Sequence, residues 1–301
     1  MMGRKINIDE NEFLNYFSYL KDKGFEIEIT TALMERVRTK IDLRILSEMI
    51  ISFVKLDNIK DMENIYLTEN DYLRIKQIHD MALAQVNENL EQFNIICCCI
   101  MKAYLIKTYD SSEKNKKVDI FIKYCLDVLN CYLEREIVIL SLYIMDDNRT
   151  HRVFKKIKSN DDVIKSILNV AWDIYHISLV EQIMLIKNMK NTEQVILSYY
   201  GTADNGINDA MQINPVKAFV IVNDYTISIH QMSINDVCKN QKLLDNGYLN
   251  ADVRVKKIKE LDFKQIRKEL ETEILKKINN ILDVFLHDKT LFILQLLTAK
   301  T

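Results

Sequence analysis

The chain has almost no proline and little glycine, one Pro and five Gly in 301 residues. Both residues interrupt helices, proline through its missing N–H and glycine through its backbone freedom. Their scarcity predicts long unbroken helices. An excess of one charge is also lacking. Lys and Arg number 41 against 43 Asp and Glu, a net charge of −2, so no whole-chain basic field marks a nucleic-acid binder. No uninterrupted apolar run approaches the roughly 18–20 residues that a membrane span needs. The greasiest stretch, Ile95–Ile106, is broken by Lys102, and the start, MMGRKINIDENEF, has no apolar signal core. Neither secretion nor membrane insertion is expected. The six cysteines include no C-x-x-C pair, and Cys97, Cys98 and Cys99 are adjacent. That pattern is no disulfide framework; it predicts buried thiols in a reducing cytoplasm. No H-E-x-x-H, Walker, G-x-S-x-G or G-x-G-x-x-G motif occurs, which leaves zincin, P-loop, serine-hydrolase and dinucleotide chemistry without support.

What is present is a chain with apolar residues at 48% and charged residues at 28%, enough to build a sizeable core. Apolar spacing predicts helices at Asn11–Leu20, Leu43–Leu56, about Glu69–Lys107, Val118–Met145 and about Val163–Asn188. Thr68, with Glu69 and Asp71 behind it, reads as a helix N-cap with acids in the first turn. Ser159–Asp162 caps a later helix, and Asp146–Arg149 is a break. Asn240–Asn250 reads as a polar loop. From Ala251 a basic amphipathic helix is expected, followed by an apolar one at Ile278–Leu297.

The texture changes between Gln194 and Asp224. This island holds Gly201, Gly206 and the only proline, Pro215. Two apolar runs, Val195–Tyr200 and Ala218–Val222, flank the polar turn Gly201–Asn205. Lys5–Ile8 and Phe25–Ile29 are short strand candidates, and Ile227–Met232 adds a last one. An apolar run that ends in a turn acid places a carboxylate at a strand's C-terminal edge, where open α/β sheets hold ligands.

Asp9 ends the first run in KINIDENEF. Glu136 lies in YLEREIVILSLY on the face of Leu133 and Leu140, with Glu48 in RILSEMIISF as its competitor. Asp173 lies in NVAWDIYHISLVEQIM, and Asp204 closes GTADN. This order of acids resembles the PIN-domain family of metal-dependent nucleases. The resemblance spans roughly residues 5–225. It implies a strongly helix-rich α/β fold with a small, mostly parallel sheet. Residues 1–230 would form the core, with a large helical insertion at about 21–117, and residues 231–301 a C-terminal helical region. It further implies that Asp9, Glu136, Asp173 and Asp204 are catalytic and hold Mg²⁺ or Mn²⁺, hard cations that take carboxylate oxygens. The activity implied is metal-dependent phosphodiester hydrolysis, on RNA, in the cytoplasm, as a toxin or defence effector. Asn11 would order a metal-bound water and Thr202 would bond a neighbouring acid.

Two alternatives stand beside this. Arg74 and His79, as Arg-x4-His on one helix, resemble the motif of the metal-independent HEPN ribonucleases. The other alternative is a non-catalytic helical interaction protein. The C-terminal helices, Ala251–Leu297, carry more apolar surface than one stripe needs and would hold a homo-oligomer or a protein partner together. Arg152–Lys158 and Arg254–Lys259 are basic segments that could track a phosphate backbone or simply be solvated. His176 lies near Asp173 in sequence, while His151, His230 and His287 are isolated.

Overall fold

The computed structural model describes residues 10–24, 43–57, 68–88, 90–157, 162–190, 205–222 and 225–298. It divides into two compact units, Met1–Leu90 and Glu91–Thr301. The described residues contain thirteen α-helices and one two-stranded sheet. The strand candidates Lys5–Ile8, Phe25–Ile29 and Val195–Tyr200 lie outside the described residues, as do Asp9, Thr202 and Asp204.

The first unit holds α1 (Glu10–Asp22), α2 (Leu43–Asp57) and α3 (Glu69–Glu88). Helix α2 buries Ile50, Phe53 and Val54, and Arg74 of α3 lies over the Phe53 ring at 6.0 Å. The start of α3 is a reciprocal cap. Thr68 donates its backbone N–H and its hydroxyl to the Asp71 carboxylate, both at 2.7 Å, and Asp71 N–H returns a bond to Thr68 Oγ1 at 3.3 Å. That arrangement satisfies N–H groups which a helix start otherwise leaves open.

Helix α4 (Leu90–Tyr109) follows, and α3 and α4 together cover the stretch expected to be helical from Glu69 to Lys107, with residue 89 outside the described residues. Ile96 to Met101 are all fully buried. A helix that is apolar around its whole circumference must sit inside the core. Helix α5 (Lys114–Lys123) buries Val118, Phe121 and Ile122 and runs into a π-helical turn, Tyr124–Val128. There Leu129 N–H bonds Tyr124 O at 3.1 Å, and Cys131 N–H bonds Cys125 O at 3.0 Å. Asn130, at φ 49°, ends the turn in the left-handed region, which asparagine tolerates better than most residues. Helix α6 (Glu134–Ile144) follows, buried at every position from Arg135 onward. Asp146, at φ 61°, ends it and takes Lys107 at 2.5 Å and Lys114 at 3.1 Å.

After α7 (His151–Phe154), α8 (Val163–Lys190) is the longest helix of the inner core. Its stretch Val163–Ile186 is long and apolar enough to cross a membrane by length and composition. In this fold, however, Ile167, Val170, Ala171, Ile174 and Tyr175 build the interior. Trp172, Tyr175 and Phe93 of α4 meet edge-on or tilted, with ring centroids 5.2–6.0 Å apart. Helix α9 (Asn205–Ile213) leads through Pro215 to β1 (Val216–Val222) and β2 (Tyr225–His230).

These strands pair antiparallel, with Val220 opposite Ile227 and Ala218 opposite Ile229. The described sheet is therefore a hairpin, and the mostly parallel arrangement is corrected. Helix α10 (Ile234–Val237) and α11 (Gln241–Leu249) come next. The latter is a helix where a polar loop was expected: Asn240 Oδ1 accepts from Leu243 N–H at 3.3 Å and starts the turn. Helix α12 (Ala251–Ile258) precedes α13 (Phe263–Thr298), a single helix of 36 residues.

Candidate functional site

The chemistry-bearing groups that the fold of the second unit brings together come from α6, α8 and β2. Arg135 is the centre. Its Nη1 meets Glu181 Oε2 at 2.5 Å, and its Nη2 meets Glu136 Oε1 at 2.6 Å. The same Nη2 donates to Ser178 Oγ, and Ser178 Oγ donates to Glu136 Oε1 at 2.5 Å. His230 Nε2 lies 2.8 Å from Glu181 Oε1. Its alignment falls outside hydrogen-bond geometry, so it counts as an ion-pair contact, attractive when the imidazole carries its proton. The side chains are nearly dry, Arg135 at 7% and Glu181 at 11% exposure.

Helix geometry explains the convergence. Ser178 and Glu181 are three residues apart on α8 and share a face. Arg135 and Glu136 are consecutive, so their roots point about 100° apart, and the long arginine closes the gap. Burial pushes the Glu136 carboxyl up, but Arg135 and Ser178 bring it to a net position below the ordinary glutamate range. Glu181 behaves alike: burial raises it, and His230 and Arg135 lower it further than that. Both groups are thus held ionised inside the protein.

A depressed carboxyl contributes stability that is whole above its unfolded pKa and lost as pH falls through its folded one. The network should therefore weaken below the ordinary glutamate value of 4.5. Urea midpoints measured from neutrality downward should fall more steeply for the wild type than for Glu181→Gln. Parallel curves would mean that Glu181 is not held ionised by its partners.

The four acids expected from the sequence fare differently. Asp9 and Asp204 lie outside the described residues. Glu136 is buried, as its apolar face requires, but its oxygen is occupied by Arg135 and Ser178. Asp173, at 15% exposure, faces Lys156 at 3.8 Å. It stands about 140° around α8 from Ser178, so the helix does not aim it at Glu136. Glu136 neutralises a guanidinium, and Asp173 lies 3.8 Å from an ammonium. Among the described residues no group of three or more His, Cys, Asp or Glu could hold a metal ion. Glu48, the competitor, is exposed on α2 in the other unit.

On α3, His79 Nδ1 lies 3.7 Å from Asp80, and Arg74 is taken up by Phe53. His176 is buried against Trp172, with ring centroids 4.8 Å apart. Sequence reasoning missed Arg135, Ser178, Glu181 and His230. The available signal was a pair of opposite charges inside the apolar run that becomes α6, since a buried ion needs a partner.

No family model, characterised protein or solved structure matches the chain.

Proposed function

We propose that the chain is a non-catalytic helical interaction protein that assembles through α13. The observation that carries this is the continuity of that helix. It runs 36 residues without a break, about 54 Å at 1.5 Å per residue. Its first half is anchored in the second unit. Phe263, Leu270 and Ile274 are buried, Phe263 O accepts from Cys98 Sγ at 3.7 Å, and Arg267 Nη1 donates to Asn94 Oδ1 at 2.9 Å. The second half, by sequence, carries Ile281, Leu282, Val284, Phe285, Leu286, Leu291, Phe292, Ile293, Leu294, Leu296 and Leu297. Polar Asn280, Asp283, His287 and Thr290 recur at helical spacing, and apolar residues take most of the remaining positions, more than a single docking stripe needs. A helix that starts in the core and continues with such a sequence is built to be covered.

Phe292→Asp tests it. The variant should keep its helical circular dichroism and lose an assembly that light scattering detects in the wild type. A wild type that is monomeric at micromolar concentration, with no change on substitution, would remove the self-assembly form of the proposal. The nuclease readings enter as outcomes of one assay. RNA cleavage that needs Mn²⁺ and dies with Asp173→Asn would restore the metal-dependent enzyme. Cleavage that persists in EDTA and dies with His79→Ala would point to Arg74 and His79 instead.

A further inference from the structure

The second unit sets two thiols face to face beside the π turn. Cys99 lies on α4 and Cys125 in the turn, and both are fully buried. Their sulfur atoms are in contact at 4.0 Å, although 26 positions separate them in the chain. A disulfide needs its sulfurs at about 2.05 Å, so each thiol has only about 1 Å to travel. The other cysteines are turned elsewhere. Cys97, Cys98 and Cys99 are consecutive on a helix, so their roots point about 100° apart, and Cys98 Sγ donates to Phe263 O at 3.7 Å. Cys238 Sγ donates to Asp119 Oδ1 at 3.5 Å.

The place of this contact in the fold matters. π-helical turns are rare and are found frequently at functional sites. Asp127 and Val128, in the same turn as Cys125, are exposed, so Cys125 lies two residues from the surface. Cys99, by contrast, sits in the middle of the fully buried stretch of α4. One thiol is therefore near solvent along the chain, and its partner is fixed in the core.

We propose that Cys99 and Cys125 are a reversible disulfide site, closed by a hydroperoxide that enters when the π turn opens locally. In the closed turn both thiols keep their protons: the hydrogen bond with Cys125, with burial behind it, pushes Cys99 up, and burial pushes Cys125 up. A protonated, dry thiol does not react. Local opening, below the free energy of global unfolding, lets Cys125 pass its proton to water. The thiolate then attacks hydrogen peroxide. A sulfur–oxygen bond forms, the oxygen–oxygen bond breaks, and water leaves, so that the Cys125 sulfur is oxidised to a sulfenic acid. The Cys99 sulfur attacks that sulfur. The sulfur–sulfur bond forms, the sulfur–oxygen bond breaks, and the hydroxyl leaves as a second water with the Cys99 proton. Two thiols and one peroxide thus give one disulfide and two waters. The bond ties α4 to the turn, and a dithiol reductant reverses it.

Peptide mass mapping tests this on the intact, folded chain. The protein is treated with hydrogen peroxide, quenched, unfolded in N-ethylmaleimide and digested without reductant. The dominant cross-linked peptide pair should join Cys99 to Cys125, with the fragment spectrum placing the bond at Cys99 and not at Cys97 or Cys98. Dithiothreitol should return both thiols. Cys99→Ala and Cys125→Ala should each lose the link, while Cys97→Ala and Cys238→Ala keep it. Circular dichroism checks that each variant is folded, and the wild-type fragment spectrum decides by itself if one is not. A folded chain that gives no link, or gives it only in urea, would overturn the proposal. So would a dominant link through Cys131, or oxidation of Cys125 that dithiothreitol does not reverse.

Discussion

Arg135→Ala should be among the most damaging single substitutions in the second unit. Arg135 bridges the buried Glu136 carboxylate and the nearly buried Glu181 carboxylate. Its removal leaves Glu136 without a counter-charge and Glu181 with only the His230 imidazole beside it, and breaking a buried pair from one side typically costs about 3–5 kcal/mol. Against a total stability of about 5–15 kcal/mol, that is enough to unfold a large share of the protein. The cause is separable from the loss of packing. In Arg135→Met combined with Glu136→Gln and Glu181→Gln, the acids no longer need a cation, so most of the stability should return. Equal loss in the single and triple variants, by chemical denaturation, would show that the guanidinium acts through its volume and not its charge.

Trp172→Ala should cost a similar amount by a different route. Trp172 is buried on α8 and meets Phe93 at 5.2 Å, Tyr175 at 5.3 Å and the His176 ring at 4.8 Å. Truncating a buried aromatic to alanine removes transfer energy and leaves a cavity, about 3–5 kcal/mol together. The lost edge contacts account for about 0.5–1.5 kcal/mol per ring pair within such a total. Trp172→Phe keeps most of the volume and should lose much less. The order wild type, Phe, Ala in thermal midpoint is the expected result. A Phe variant as damaged as the Ala variant would place the indole N–H, not the ring, at the centre of the effect.

The helices were legible because their apolar spacing and caps are local. Asp71 and Thr68 bond each other across three residues, and Asp162 accepts from Lys165 N–H at 3.1 Å at the start of α8. The sheet was misread for a reason that the sequence does contain. Only Asn223 and Asp224 separate the two strands, and parallel strands need a crossover of a dozen residues or more. A two-residue connection therefore forces the antiparallel hairpin. The π turn at Tyr124–Val128, with Cys125 and Leu126 buried in it, was not legible, because no proline or glycine marks it. Glu136 was correctly placed on an inward face. Its partners were hidden because Ser178 and Glu181 lie more than forty residues away and His230 comes from a strand. A buried charge announces that a partner exists, but not where along the chain it lies.

All six cysteines are free and buried, and this gives the folded chain a silence toward thiol reagents. Burial pushes the Cys98 thiol up to about 12, so at neutral pH it is neither exposed nor ionised, the two conditions for attack. Alkylation can therefore proceed only through opened forms of the protein. Cys238, just after α10, shares a different neighbourhood from the others, beside Asp119 and Asn240, while Cys97 to Cys99, Cys125 and Cys131 sit around α4 and the π turn. The order in which the six positions take up label, read by mass, is thus a map of which part of the second unit comes apart first.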